Sequence, residues 1–410
     1  MSLLLAGLGA VGAVAGAAVN LGAYRLGFVR RAISPWSAPL ESAPPRRWSD
    51  RLPIVGWLGL RREASLHGAG FWIRPLLVEL VAALGLPGLY WWEVLRGGLL
   101  GWPAGMHLPA GLASMLLAQF AAHAVLMMLM LLASLIDLDE KIIPDTITLP
   151  GTLLGLLAVA CWPQVLLPLA DKPGLGAGAT PLWITSPLAW PAGLDGFPRW
   201  PSLGLGLACW WLWCVGLMPR TWYTRHGWAR ALSLCLAHLR RDPFTLWIGC
   251  LGLAGTAVIV GLWWRSGAGW PSMLSALFGM AAGGLLIWAV RIVGTAVLRR
   301  EAMGFGDVTL MAMLGVLLGW QGCLVVFFLA PLAALVVGVG VLALQRETEI
   351  PYGPFLCLAA GFVLVRWSAV WQRVEPIFTL GSVVPLILLL GLGLMVVLLW
   401  ILRAIKSLFA

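Results

Sequence analysis

Charge is what this sequence has least of. Only 11% of its 410 residues are charged against 60% hydrophobic, and the mean hydropathy is +0.92. That balance excludes an ordinary soluble domain: repeated runs of about 20 apolar residues read as membrane-spanning helices. Tyrosine is scarce too, four against 25 tryptophans, and so much Trp suits the interfacial belts of a membrane protein. The seven cysteines (161, 209, 214, 235, 250, 323, 357) contain no Cys-x-x-Cys pair, and residues 23–80 hold none. A disulfide framework and a local zinc ribbon are thereby excluded, and the cysteines read as small core hydrophobes. The five histidines (67, 107, 123, 226, 238) form no His-x-x-x-His pair, so no zinc site is expected; His123, midway along an apolar run, reads as a packing residue. Nor is there a Gly-x-Ser-x-Gly elbow for a serine hydrolase.

What remains is acid chemistry. The stretch Glu301-Ala-Met-Gly-Phe-Gly-Asp307 puts one carboxylate behind two glycines and ahead of an apolar helical run. An ionisable residue at the mouth of a membrane helix is a functional hypothesis by default. Gly304 and Gly306 are expected to supply positive φ and close backbone approach; the bland alternative is that Asp307 N-caps its helix. Ser134-Leu-Ile-Asp137 repeats the placement, closing the apolar run 111–136, while Pro144 and Asp145 open the next helix. Two such carboxyls brought together are the layout of an aspartic protease dyad.

The candidate spans are 3–22, 72–95, 111–136, 147–169, 204–218, 245–264, 272–298, 308–321, 323–344, 353–371 and 379–402, about ten helices in all. The fold expected is an all-α polytopic membrane protein. Arg25 follows the first run rather than preceding it, unlike a cleaved signal peptide. With the N-terminus outside, roughly 21 of the 27 basic residues lie on the cytoplasmic side, against roughly six for the reverse. This topology accounts for the net charge of +10 without a nucleic-acid partner. It also puts Asp137, Asp145 and Asp307 at the cytoplasmic membrane edge. Residues 219–243, basic and amphipathic, read as an interfacial segment held by lipid headgroups.

The two acidic stretches resemble the active-site motifs of the type IV prepilin peptidases, intramembrane aspartic proteases of the Gly-x-Gly-Asp type. The likeness extends to Ile350-Pro-Tyr-Gly-Pro-Phe355, Arg51-Leu-Pro-Ile-Val-Gly-Trp-Leu-Gly-Leu-Arg61 and Arg74-Pro-Leu-Leu-Val-Glu79. It implies Asp137 and Asp307 as the catalytic pair, with Gly304, Gly306, Pro144, Asp145 and Glu301 in support, and no metal. The substrates it implies are prepilin-like (pseudopilin) membrane proteins of the type IV pilus and type II secretion kind. Each has a short basic leader ending in Gly ahead of an apolar helix. The location it implies is a bacterial inner membrane.

Three departures stand out. Members that also N-methylate the new N-terminus usually carry two Cys-x-x-Cys pairs in the first cytoplasmic loop, absent here. S-adenosylmethionine is therefore expected only if methyl transfer is retained; the peptidase needs no cofactor. Without thiols, the loop is expected to be ordered by its prolines, by Trp36, Trp48 and Trp57 at the membrane surface, and by Arg on lipid. Second, the lysine common two residues after the second Asp is Thr309. Third, 171–270 reads as an insertion with two extra helices, between core segments at 96–170 and 271–410, with 1–95 holding the first helix, the cysteine-free loop and the second helix. The competing class is a transporter using buried acids. It is disfavoured because the acids gather at one surface and no internal repeat is evident.

Overall fold

The computed structural model describes residues 1–28, 33–39, 42–102, 109–170, 178–218, 233, 241–298, 303–344, 351–381 and 383–408. The basic segment 219–240, apart from Ser233, and Glu301 lie outside the described residues. Among the described residues the chain is all-α apart from one two-stranded antiparallel ribbon, Pro168–Ala170 with Ala179–Pro181. In chain order the described α-helices longer than four residues are α1 (Ser2–Leu26), α2 (Val55–Leu60), α3 (Ile73–Tyr90), α4 (Ala110–Glu140), α5 (Asp145–Cys161) and α6 (Trp200–Leu217). After these come α7 (Pro243–Arg265), α8 (Gly269–Leu298), α9 (Phe305–Leu344), α10 (Gly353–Val365), α11 (Trp367–Phe378) and α12 (Val383–Leu408).

Among the described residues seven helices are long and apolar enough to cross a membrane, or eight if α10 and α11 make one span. About ten were expected, and the difference has local causes. The run 147–169 yields only the 17-residue α5. The run 353–371 breaks after Val365, where α10 and α11 meet at 96°. The runs 308–321 and 323–344 are two arms of α9. Gly319 has φ 67° and ψ 172°, a backbone only glycine adopts freely. The reversal is plain from the Cys323 thiol, which lies 3.8 Å from the Met311 carbonyl; on a straight helix those residues would stand about 18 Å apart.

Burial puts α9 and α8 at the centre. Their apolar windows are 72% and 61% buried, against 22–39% for the other five. Side chains on α9 from Leu310 to Leu318 are all buried, so the arm that begins at Asp307 is walled by protein and not by lipid.

The first loop is ordered differently from the expectation. Trp36 and Trp48 are exposed, but Trp57 is only 1% exposed and donates to Glu79 Oε1 at 2.8 Å. Glu79, buried on α3, also accepts from Asn20 of α1 at 3.2 Å and from the Ile54 amide. Arg46 holds both oxygens of buried Glu63 at 3.2 Å, and Arg62 pairs with buried Asp50. Burial alone would raise the Asp50 pKa, but hydrogen bonds from Arg62 and the Arg47 amide hold it below the usual carboxylate range. Hydrogen-bonded ion pairs, each with its carboxylate buried, tie this loop together.

Candidate active site

Asp137 lies one turn from the C-terminal end of α4. Ala133, Ile136 and Asp137 share the inward face, while Leu138 points out. Lys141 then turns the chain at φ 57°, Ile142 and Ile143 cross the gap, and α5 opens at Asp145. Pro144 precedes the first helical residue in extended backbone, φ −71° and ψ 138°. That conformation suits its fixed φ and absent N–H.

Asp307 sits in the first turn of α9, two residues into the helix. It is not the N-cap: the Gly304 amide donates to its carboxylate, the return half of a capping box. Neither Gly304 nor Gly306 has positive φ, so that expectation is corrected. What Gly306 provides is room: a Cβ there would stand 2.8 Å from both the Cβ and the carbonyl oxygen of Ile143. Gly304 is under no such pressure: a Cβ there would meet nothing nearer than the Asp307 carboxylate at 3.7 Å.

The two aspartates come together around Ile143. Asp137 is 5% exposed and Asp307 8%, and each lies within reach of the other's charge. The Gly353 amide, opening α10, donates to Asp137 Oδ2 at 3.1 Å. A Cβ on Gly353 would fall 2.5 Å from that oxygen and 2.7 Å from Ile143 Cδ1. Ile143 therefore touches the glycine beside one aspartate and the glycine bonded to the other. Tyr352, next to Gly353, has its phenol pushed up to about 12, first by burial and then by the Asp307 charge. Two buried carboxyls on separate elements, each steadied by a backbone amide, can hold a water and a carbonyl between them for acid–base hydrolysis.

Asp145 does not cap α5 through its side chain; its Oδ1 accepts from the Thr309 hydroxyl at 3.4 Å. Asp139 faces outward and pairs with Arg74 at 2.5 Å. Sequence reading singled out Tyr352-Gly353 only as part of a motif. Their role follows from the Gly353 amide, and backbone donors have no residue-type signature.

Among the described residues no three His, Cys, Asp or Glu side chains gather to hold a metal. The cleft between Asn20, Trp36, Pro53, Trp57 and Glu79 encloses about 10 Å³. Its acid is already spent on Asn20, Ile54 and Trp57. Among the described residues that cleft has no room for a nucleoside cofactor such as S-adenosylmethionine.

The profile of the type IV leader peptidase family matches residues 124–216 and 240–339. Among named relatives, the prepilin leader peptidase/N-methyltransferase of Aeromonas hydrophila is 34% identical over 103 residues, 24% of this chain and 35% of that protein. The protein of that name from Pseudomonas aeruginosa is 38% identical over 100 residues, 24% of this chain and 34% of its own. A third, from Burkholderia pseudomallei, is 32% identical over 142 residues, covering 32% and 43%. The chain thus spans about a third of the length of the first curated relatives it matches. No solved structure matches.

Proposed function

The chain belongs to the type IV leader peptidase family, and from that premise we propose that it is a membrane aspartic endopeptidase that removes the basic leader of prepilin-like proteins. Asp137 and Asp307 form the dyad; Gly304, Gly306, Pro144 and Asp145 build its frame. The observation that carries this reading is the junction at Ile143, where both carboxyls are buried and each is held by a glycine amide.

In this mechanism the pair carries one proton between them. The ionised carboxylate takes a proton from water as the water oxygen bonds to the scissile carbonyl carbon. The protonated partner donates to the carbonyl oxygen, and a tetrahedral diol forms. A proton then passes to the amide nitrogen, the C–N bond breaks, and the leader carboxyl and a new N-terminal amine separate. A transporter would want its acids at the bilayer midplane; these lie at helix ends. Methyl transfer is part of the relatives' printed name, but the filled cleft around Glu79 gives it no support here.

The test is co-expression with a protein bearing a short basic leader ending in Gly before an apolar helix. The expected result is loss of the leader mass, undiminished by chelators in membranes. An uncut substrate, or cleavage blocked by chelation, overturns the assignment.

The cut falls on the cytoplasmic side of a bacterial inner membrane. A reporter fused after residue 62 is accordingly expected to read as cytoplasmic, and one near residue 185 as external. An external signal at residue 62 would put the dyad on the wrong face.

A further inference from the structure

Thr309 makes more hydrogen-bonding contacts at the dyad's edge than any role so far requires. It is 3% exposed, and its Oγ1 lies 3.1 Å from Thr148 Oγ1, which donates to it. The same atom lies 3.4 Å from Asp145 Oδ1 and 3.1 Å from the Gly306 carbonyl. Asp145 and Thr148 both belong to the first turn of α5, and Thr309 opens the second turn of α9. One hydroxyl therefore ties together the two helix starts that flank the dyad.

We infer that Thr309, through Thr148 and Asp145, is a positioning residue that sets the orientation of Asp307 against Asp137. This rests on the peptidase reading above. The contact of Gly306 with Ile143 fixes how closely α9 approaches the 143–148 segment. Arg291 steadies the same helix start from α8, its Nε donating to the Met303 carbonyl at 2.9 Å, but at the 143–148 segment Gly306 supplies a single contact. The Thr309 clasp is a second point, one turn further on, and two points fix rotation as well as distance. Asp307 lies between them in sequence, so its carboxylate direction is set by both. Asp137 is held separately by the Gly353 amide, so the direction of the Asp307 carboxylate is the side of the pair that these two points adjust. In apolar surroundings a hydroxyl has little water to bond instead; its one proton is shared between the Gly306 carbonyl and Asp145, while the Thr148 hydroxyl donates to its oxygen. A displacement of about 1 Å in a reacting group costs about 100-fold in rate; loosening one of two anchors should cost less.

The test is steady-state cleavage of a prepilin-like substrate by purified full-length protein in detergent, with rates taken per folded molecule. Thr309→Val is expected to lower kcat by about tenfold or more with KM within about twofold, because alignment and not substrate binding is lost. Thr309→Ser keeps the oxygen and should bring kcat back to within about threefold. Combining Thr148→Val with Thr309→Val should add little to the single change, since both break one network. Should Thr309→Val not fold, Thr148→Val alone, which removes the donor, is expected to cost about threefold in kcat. Wild-type kcat in the valine variants, a loss that serine fails to restore, or an effect confined to KM overturns the clasp while leaving the peptidase standing. Wild-type protein that does not cut the substrate removes both.

Discussion

Asp307→Asn and Asp137→Asn are each expected to lower leader cleavage by on the order of 10⁴-fold or more, with membrane insertion unchanged. Asparagine has nearly the same shape as aspartate and keeps a carbonyl oxygen. It can still accept from the Gly304 amide at 307 or the Gly353 amide at 137. What it cannot do is take a proton from water or pass one to the leaving nitrogen, so a lone remaining carboxyl cannot serve as both base and acid. The fall is read from the mass of a co-expressed substrate. Asp139→Asn is the internal comparison: its partner Arg74 is 43% exposed in the side chain, and an exposed pair contributes about 0–1 kcal/mol. Near-normal cleavage by either dyad variant would remove that residue from the mechanism; a fall of similar size for Asp139→Asn would mean that the wrong acid on α4 had been chosen.

The second large effect is steric. Gly353→Ala places a methyl 2.5 Å from Asp137 Oδ2 and 2.7 Å from Ile143 Cδ1, both inside van der Waals contact. These are side-chain atoms and can give way, so the helices still pack, but the carboxylate that gives way is one of the proposed dyad. A loss of about 100-fold in cleavage is expected. Gly306→Ala presses on the Ile143 backbone at 2.8 Å, which cannot rotate aside, and should cost about as much while also lowering thermal stability by about 1–3 kcal/mol. Gly304→Ala meets nothing closer than 3.7 Å and should lose less than about tenfold. Cleavage and melting of the three variants side by side decide the point. If Gly304→Ala proves the worst, freedom of the backbone and not room for neighbouring atoms is what the motif provides.

That ranking also marks where sequence reading stopped. The membrane class and the all-α fold follow from apolar run length, and the two aspartates stand out because acids are so rare beside such runs. Orientation of the carboxyls was not legible, since it depends on amides at Gly304 and Gly353 that any residue could present. The glycines stand out in the sequence, but φ is ordinary at 304 and 306, and the need at 306 arises from Ile143, far off in sequence. Thr309 looked like a lost charge; only its contacts with Thr148 and Asp145 reveal a bridge. The first loop misled for a similar reason. Trp57 and Glu79 are 22 residues apart, and nothing in either neighbourhood announces their pairing.

The reversal of α9 at Gly319 makes the catalytic arm a beam fixed at its far end. From Phe305 to Gly319 the arm runs about 21 Å at 1.5 Å per residue. Just past the bend, Gln321 donates to the carbonyls of Trp183 and Ile184 at 2.8 and 3.3 Å, and Trp320 donates to Ile184 at 2.8 Å. The segment that receives these bonds belongs to the stretch between α5 and α6, remote from Asp307. A tilt of a few degrees at such a footing moves the opposite end by about 1 Å, the scale on which catalysis is lost. The loop 178–199 therefore anchors the far end of the arm whose near end carries Asp307.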